Sequence, residues 1–281
     1  MKIIECPRDA MQGIADFIDT EQKVKYLNKL LEVGFDTLDF GSFVSPMAIP
    51  QLRDTAEVLA QLDLSSTQTK LLSIVANLRG AQQAADFEQI NYLGFPLSVS
   101  ETFQLKNTNK TISEAFGELA QIQEICQQSN KTLVVYLSMG FGNPYGEPYS
   151  PEIVEDFTEK LVKMGVSIIA PSDTIGSSTT DDIKALFGTL IPRFPKVEFG
   201  AHLHAKPSHV AKKVKAAYKS GASRIDCALR GFGGCPLAED KLVGNLATEL
   251  VVSELRQLKV KLAIDDLQLA QAMLQSQYVF G

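Results

Sequence analysis

The chain has 281 residues, of which 45% are hydrophobic, and this is enough to bury one large core. Its formal net charge is −6 and its Lys and Arg residues are scattered, so the sequence offers no basic surface for nucleic acid. No apolar stretch approaches the roughly 18 residues of a membrane span, and the N-terminus lacks a signal peptide. We therefore expect a soluble, cytoplasmic protein without nucleic-acid or membrane partners.

Taken in chain order, short apolar runs rich in β-branched residues alternate with longer segments whose apolar residues recur at helical spacing. The predicted strands are 2–6, 37–43, 71–76, 92–99, 132–138, 166–171, 197–204 and 224–229. The predicted helices lie near 20–33, 51–61, 80–90, 111–129, 151–164, 179–190, 208–220 and 244–257, and one further helix spans 259–281.

Eight strand–helix units in this order predict a (β/α)8 TIM barrel, an α/β fold in which the extra C-terminal helix lies outside. No linker or low-complexity tract divides the chain, so residues 1–281 are predicted to form a single domain. An open parallel sheet is the alternative, since six or seven units would suffice for it.

Polar side chains recur where the predicted strands end, and the C-terminal ends of barrel strands carry the catalytic groups of such enzymes. The earlier ones are Arg8 and Asp9 after the first strand, and Asp39 and Ser42 in or after the second. The later ones are Ser172 and Asp173 after the sixth strand, His202 and His204 at the end of the seventh, and Arg230 after the eighth.

The strongest local pattern is Ala201-His202-Leu203-His204, because alternate side chains of a strand point to the same face. With only three histidines in the chain, this pair is a candidate metal site, and hydrogen-bonded or exposed histidines are the alternative. Two imidazoles with oxygen ligands suit Mg²⁺, Mn²⁺ or Co²⁺, whereas a closed zinc site normally recruits thiolate. Asp9 is a candidate oxygen ligand, and equally a turn aspartate.

Residues 231–236 read Gly-Phe-Gly-Gly-Cys-Pro, and the glycines permit backbone conformations that other residues forbid. Cys235 in this loop is a candidate acid or base, and a thiol without a catalytic role is the alternative. The sequence contains no GxSxG elbow, Walker loop or Rossmann glycine fingerprint. Metal-assisted chemistry is the class that remains.

Several segments together resemble the hydroxymethylglutaryl-CoA lyases, a family within a metal-dependent barrel superfamily that also contains synthases. They are Glu5-Cys6-Pro7-Arg8-Asp9-Ala10-Met11-Gln12, Ser42 to Pro46, Asp173 to Gly176, the paired histidines, Gly233 to Pro236 and Gly244 to Glu249. The resemblance runs from end to end of the chain. It implies a carbon–carbon lyase that cleaves 3-hydroxy-3-methylglutaryl-CoA, or a similar acyl thioester, to acetyl-CoA and acetoacetate.

The resemblance also implies roles for individual residues. The implied ligands of a divalent metal (Mg²⁺, Mn²⁺ or Co²⁺) are Asp9, His202, His204 and Asn245. The implied catalytic residues are Arg8, which would neutralise an enolate, Cys235, which would handle a proton, and Asp39, which stands where the family has a glutamate. The implied substrate contacts are Gln12, Ser42 and Asp173. The expected partner is a small acyl-CoA substrate, and the sequence is compatible with a homodimer.

Three departures from the family pattern keep other functions open: Ala10 replaces a glycine, Asp39 replaces a glutamate, and Ala205 replaces the aspartate that follows the paired histidines. One alternative is an aldolase of the same superfamily that cleaves a free hydroxy acid. The other is a catalytically silent barrel that binds a ligand or partner. The change at position 205 predicts that a ligand histidine loses a hydrogen-bond partner.

Overall fold

The computed structural model describes residues 1–234 and 243–281, and its centre is a closed barrel of eight parallel strands. The strands are β1 (Lys2–Glu5), β2 (Thr37–Ser42), β3 (Lys70–Ile74), β4 (Ile90–Ser98), β5 (Thr132–Ser138), β6 (Ile168–Asp173), β7 (Glu198–Leu203) and β8 (Arg224–Cys227). They pair in sequence order, and the barrel closes where β8 pairs with β1. This confirms the predicted TIM barrel and excludes the open sheet.

Helices surround the barrel. They are α1 (Pro7–Met11), α2 (Thr20–Leu31), α3 (Thr55–Ala60), α4 (Leu78–Ala85), α5 (Glu101–Thr108), α6 (Ile112–Gln128), α7 (Pro151–Lys163), α8 (Thr180–Arg193), α9 (Pro207–Lys219), α10 (Thr248–Gln257) and α11 (Asp266–Phe280). The extra C-terminal helix of the prediction is α11, and it packs against α2. Within the described part of the chain, every helix is too short or too polar to cross a bilayer.

Two helices and one strand end differ from the sequence prediction. The five-residue α1 is too short to show a hydrophobic period, although Pro7 at its start favours that position. Helix α5 has no clear apolar stripe and is instead started by Ser100, whose hydroxyl accepts a hydrogen bond from the Phe103 N–H. Strand β6 continues to Asp173, so the two polar residues expected after the strand are its last two residues.

One buried apolar cluster lies inside the barrel, made of Leu72, Ile74, Tyr92, Val134, Tyr136, Ile168 and Ala170. The buried Arg224 lies over the ring of Tyr92 and pairs with Glu198. Gly94 faces the same space, where an added Cβ would lie 2.5 Å from the Ile74 Cδ1 atom. A larger buried cluster packs between the strands and the helices. TIM-barrel enzymes carry their ligand sites at the C-terminal ends of the strands, so the mouth at that end of the barrel is the expected place for a site.

Candidate active site

Three of the predicted metal ligands meet at the mouth of the barrel. Asp9, His202 and His204 each offer one ligand atom, and these atoms lie within 4.8 Å of one another. Asp9 lies on α1, the short helix directly after β1, and the two histidines lie at the end of β7. Leu203 between them points into the core, as strand alternation requires. The structure thus brings together residues from the first and the seventh strand–helix units of the barrel.

His204 presents a buried nitrogen atom that has no hydrogen-bond partner among the described residues. Its Nδ1 lies 3.1 Å from the Thr174 carbonyl, so Nδ1 carries the proton and Nε2 carries the lone pair. Nε2 is the unpartnered atom. Burial lowers the pKa of His204 to about 4, which keeps the imidazole neutral at neutral pH. A buried, unpaired lone pair costs free energy, so this atom fits a metal ligand.

His202 is oriented by a carboxylate from the neighbouring strand. Its Nδ1 lies 3.0 Å from Oδ2 of Asp226 on β8. Burial by itself lowers the pKa of His202, but the hydrogen bond to Asp226 and the charge of Asp226 raise it above its usual value. Ligand histidines commonly donate their second nitrogen to such a group. Since Nδ1 of each histidine has a partner, Ala205 leaves neither ring without one, contrary to the expectation from sequence.

Asn245, the fourth predicted ligand, contacts Asp9 of the cluster. Its Nδ2 donates to Asp9 Oδ2 at 2.6 Å and to the Phe232 carbonyl at 3.0 Å, and its backbone bridges that of His204. A Cβ at Gly233 would lie 2.7 Å from Asn245 Nδ2, and Gly233 has a φ of 91°. Only glycine therefore leaves room for this contact.

Arg8 lies beside the cluster and is held by carboxylates. Its Nη2 donates to Asp39 Oδ2 at 2.6 Å, and its Nη1 donates to Gln12 Oε1 at 2.8 Å and to Asp9 Oδ1 at 3.2 Å. Burial disfavours its charge, but Asp39 and Asp9 outweigh this and raise the pKa of Arg8. Burial raises the pKa of Asp39 to about 6, against the opposing effect of Arg8. The site therefore contains a fixed positive charge.

A cavity of about 380 Å³ opens next to these groups, a size suited to a small ligand or part of a larger one. Its polar lining includes Arg8, Asp9, Gln12, Ser172, His202 and His204. Its apolar lining includes Val44, Ile49, Ile74, Pro96 and Phe103. The cavity therefore combines charged groups and candidate metal ligands with apolar surface that would accept an acyl chain.

Three other residues predicted from the sequence, Ser42, Asp173 and Arg230, do not line the cavity. The hydroxyl of Ser42 donates to the Ile74 carbonyl and accepts from the Val44 N–H, so main-chain atoms occupy it. Asp173 points away from the cavity because side chains alternate along β6 and Ser172 takes the inner face. Arg230 is exposed. Cys235 lies outside the described residues.

Asp226 is a site residue that the sequence analysis missed. The signal was an acidic residue inside the predicted strand 224–229, because a carboxylate that is buried in a strand needs a partner. Asp226 is buried, with 2% of its surface exposed, and its partner is His202.

Comparison with known proteins finds hydroxymethylglutaryl-CoA lyases among both the sequence relatives and the solved structures. The HMGL-like family model matches residues 2–274. A hydroxymethylglutaryl-CoA lyase of Bacillus subtilis is 34% identical over 255 residues, which cover 91% of this chain and 84% of the relative. The mitochondrial hydroxymethylglutaryl-CoA lyase of Macaca fascicularis is 32% identical over 268 residues, which cover 94% and 81%. The structure of an HMG-CoA lyase from Acinetobacter baumannii, in complex with coenzyme A and 3-methylmalate, matches with a TM-score of 0.90 and 30% identity, over 99% of this chain and 91% of that one.

Proposed function

The chain belongs to the HMGL-like family, and we propose that it is a carbon–carbon lyase that cleaves 3-hydroxy-3-methylglutaryl-CoA to acetyl-CoA and acetoacetate. The observation that carries the proposal is the convergence of Asp9, His202 and His204 at the barrel mouth, beside the charged Arg8. The coenzyme A bound by the Acinetobacter relative supports an acyl-CoA substrate.

The donor set supports a divalent metal cofactor, with Mg²⁺, Mn²⁺ and Co²⁺ as the proposed ions. Asp9, His202 and His204 would hold it, and Asn245 would add its amide oxygen. Two imidazoles with oxygen donors fit a hard or borderline ion, and the unpartnered Nε2 of His204 supplies a lone pair. When bound, such an ion supplies Lewis-acid chemistry that polarises the substrate oxygens and lowers the pKa of the C3 hydroxyl.

The proposed reaction is a retro-Claisen cleavage. The C3 hydroxyl loses its proton to a base, the C2–C3 bond breaks, and the electron pair moves into the thioester as an enolate. Arg8 would stabilise the negative charge on the enolate oxygen, because a fixed cation in a site closed to water strongly favours developing charge. Asp39 would keep the guanidinium in place through its paired contacts. Cys235 would return a proton to C2, which releases acetyl-CoA.

We propose a direct substrate contact for Gln12 and indirect roles for Ser42 and Asp173. Gln12 lines the cavity and donates to Asp9 Oδ1 at 2.8 Å, which supports a substrate contact that is coupled to the metal ligand. The positions of Ser42 and Asp173 outside the cavity lining support indirect roles. We propose that residues 1–281 act as one domain, and a homodimer stays a prediction.

A coupled assay for acetoacetate tests the proposal. Purified protein with hydroxymethylglutaryl-CoA should form acetoacetate and acetyl-CoA, lose activity with a chelator, and regain it with Mg²⁺, Mn²⁺ or Co²⁺. If the protein binds Mn²⁺ but cleaves neither this thioester nor a free hydroxy keto acid, a silent barrel is favoured. Cleavage of the free acid alone would favour the aldolase.

A further inference from the structure

A second buried cluster of charge lies behind the metal ligands, on the outer face of the barrel. Lys213 of α9 donates from Nζ to Asp173 Oδ2 at 2.6 Å, to the Gly176 carbonyl at 3.1 Å and to the His204 carbonyl at 2.9 Å. The side chains of Lys213 and Asp173 are only 3% and 0% exposed. An ammonium group has three protons, so these three acceptors use all of its donors.

The third acceptor connects this cluster to the metal ligands. The β6–β7 ladder ends at the pair Asp173 and Leu203, so the backbone of His204 lies beyond it. There, the carbonyl of His204 accepts from Lys213. Lys213 therefore supplies a contact to β6 at the point where the ladder no longer does.

The first two acceptors, on Asp173 and Gly176, fix the backbone segment that contacts the imidazole ring of His204. Asp173 and Gly176 flank Thr174, whose carbonyl accepts the hydrogen bond from His204 Nδ1. Lys213 thus ties together the two backbone segments that set where the imidazole ring lies. Asp173 is held in turn by Ser178, whose hydroxyl donates to it at 2.6 Å.

We propose that Lys213 is a positioning residue for the metal site: by joining Asp173 and Gly176 to the His204 carbonyl, it aims Nε2 of His204 at the metal. The proposal rests on the proposed metal function. It also gives Asp173 a role that its place outside the cavity lining allows. A buried ion pair is by itself weak evidence for stabilisation, and the bond to the His204 carbonyl gives this pair a second role, which is to fix the histidine.

The chain offers a matched control. Lys131 is also buried, and its Nζ donates to the carbonyls of Phe87 and Ile90 at 2.7 Å and 2.9 Å. It contacts none of the proposed ligands through these bonds. Lys131→Met should therefore remove two hydrogen bonds to main-chain carbonyls, as Lys213→Met does, without breaking an ion pair and without moving His204.

The experiment measures Mn²⁺ binding by electron paramagnetic resonance of the free ion, together with thermal unfolding of the metal-free protein. Lys213→Met should raise the Kd for Mn²⁺ about 10–100-fold, as expected for loss of a group that orients a ligand. Lys131→Met should lower the melting temperature and leave this Kd unchanged. A folded Lys213→Met protein with the wild-type Kd would overturn the proposal.

A double variant covers the case in which unpaired Asp173 prevents folding. Asp173→Asn with Lys213→Met removes both charges together but still deprives the His204 carbonyl of its donor, so the Kd should rise similarly.

Unfolding of both variants beside a folded Lys131→Met protein would assign the pair to the fold and refute the positioning role. If wild type binds Mn²⁺ and the variants bind it weakly, but no thioester is cleaved, the inference stands and the proposed substrate fails. Wild type that binds no Mn²⁺ removes both.

Discussion

The two faces of the barrel wall at the ends of β6 and β7 carry polar clusters of opposite character. On the inner face, Nε2 of His204 has no partner within the described residues. On the outer face, every proton of the Lys213 ammonium is donated to an oxygen. The inner cluster, which has an unpartnered atom, is suited to bind a ligand. The outer cluster, whose hydrogen bonds are all made, is suited to hold the backbone in place. A polar residue at a strand end thus indicates a site only once its face is known.

The largest expected effect comes from removing the unpartnered Nε2 of His204. His204→Ala should reduce metal-dependent cleavage to background, because the cluster loses one of its nitrogen ligands. Steady-state turnover with added Mn²⁺ measures this, and the exposed His209, at the start of α9, gives the control His209→Ala, which should keep wild-type activity. A His204→Ala enzyme with normal turnover would show that the inner cluster is not the site.

A smaller effect should follow when the hydrogen bond between His202 and Asp226 is weakened. Asp226→Asn keeps the size of the side chain but removes the charge beside His202 Nδ1. Metal affinity should fall about 10–100-fold, as for other groups that orient ligand histidines. Titration with Mn²⁺ measures the loss. Unchanged affinity would mean that β7 alone orients His202.

The smallest expected effect concerns pH and the metal-free protein. His204 has a folded pKa of about 4 against an ordinary 6.5, so between these values the unfolded chain binds a proton that the folded protein does not. Stability should therefore fall as the pH is lowered from 6.5 towards 4, by about 2 kcal/mol at pH 5 from this residue.

Urea unfolding of wild type and His204→Gln at pH 7 and pH 5 isolates this contribution, because glutamine does not titrate. Wild type should lose about 2 kcal/mol more than the variant over this range. Equal losses would indicate that the imidazole is protonated in the folded state, which would remove the free lone pair from the inner cluster.

The sequence predicted the barrel because eight short runs rich in apolar and β-branched residues alternate with segments of helical spacing, and both patterns are local. It predicted the shared face of His202 and His204 for the same reason. It could not assign Ser172 and Asp173 to opposite faces, because the predicted strand stopped at residue 171 while β6 continues to Asp173. The convergence of Asp9 with the histidines depends on barrel closure, which no local pattern contains.

The contact between Asn245 and Asp9 has a consequence for how the protein is made. These residues come from the last and first units of the barrel, and they meet across the seam where β8 pairs with β1. The ribosome adds Asp9 to the nascent chain early and adds Asn245 more than two hundred residues later. The four proposed ligands can therefore come together only after Asn245 has been synthesised, and a chain that stops before this residue could not hold an ion with all four groups.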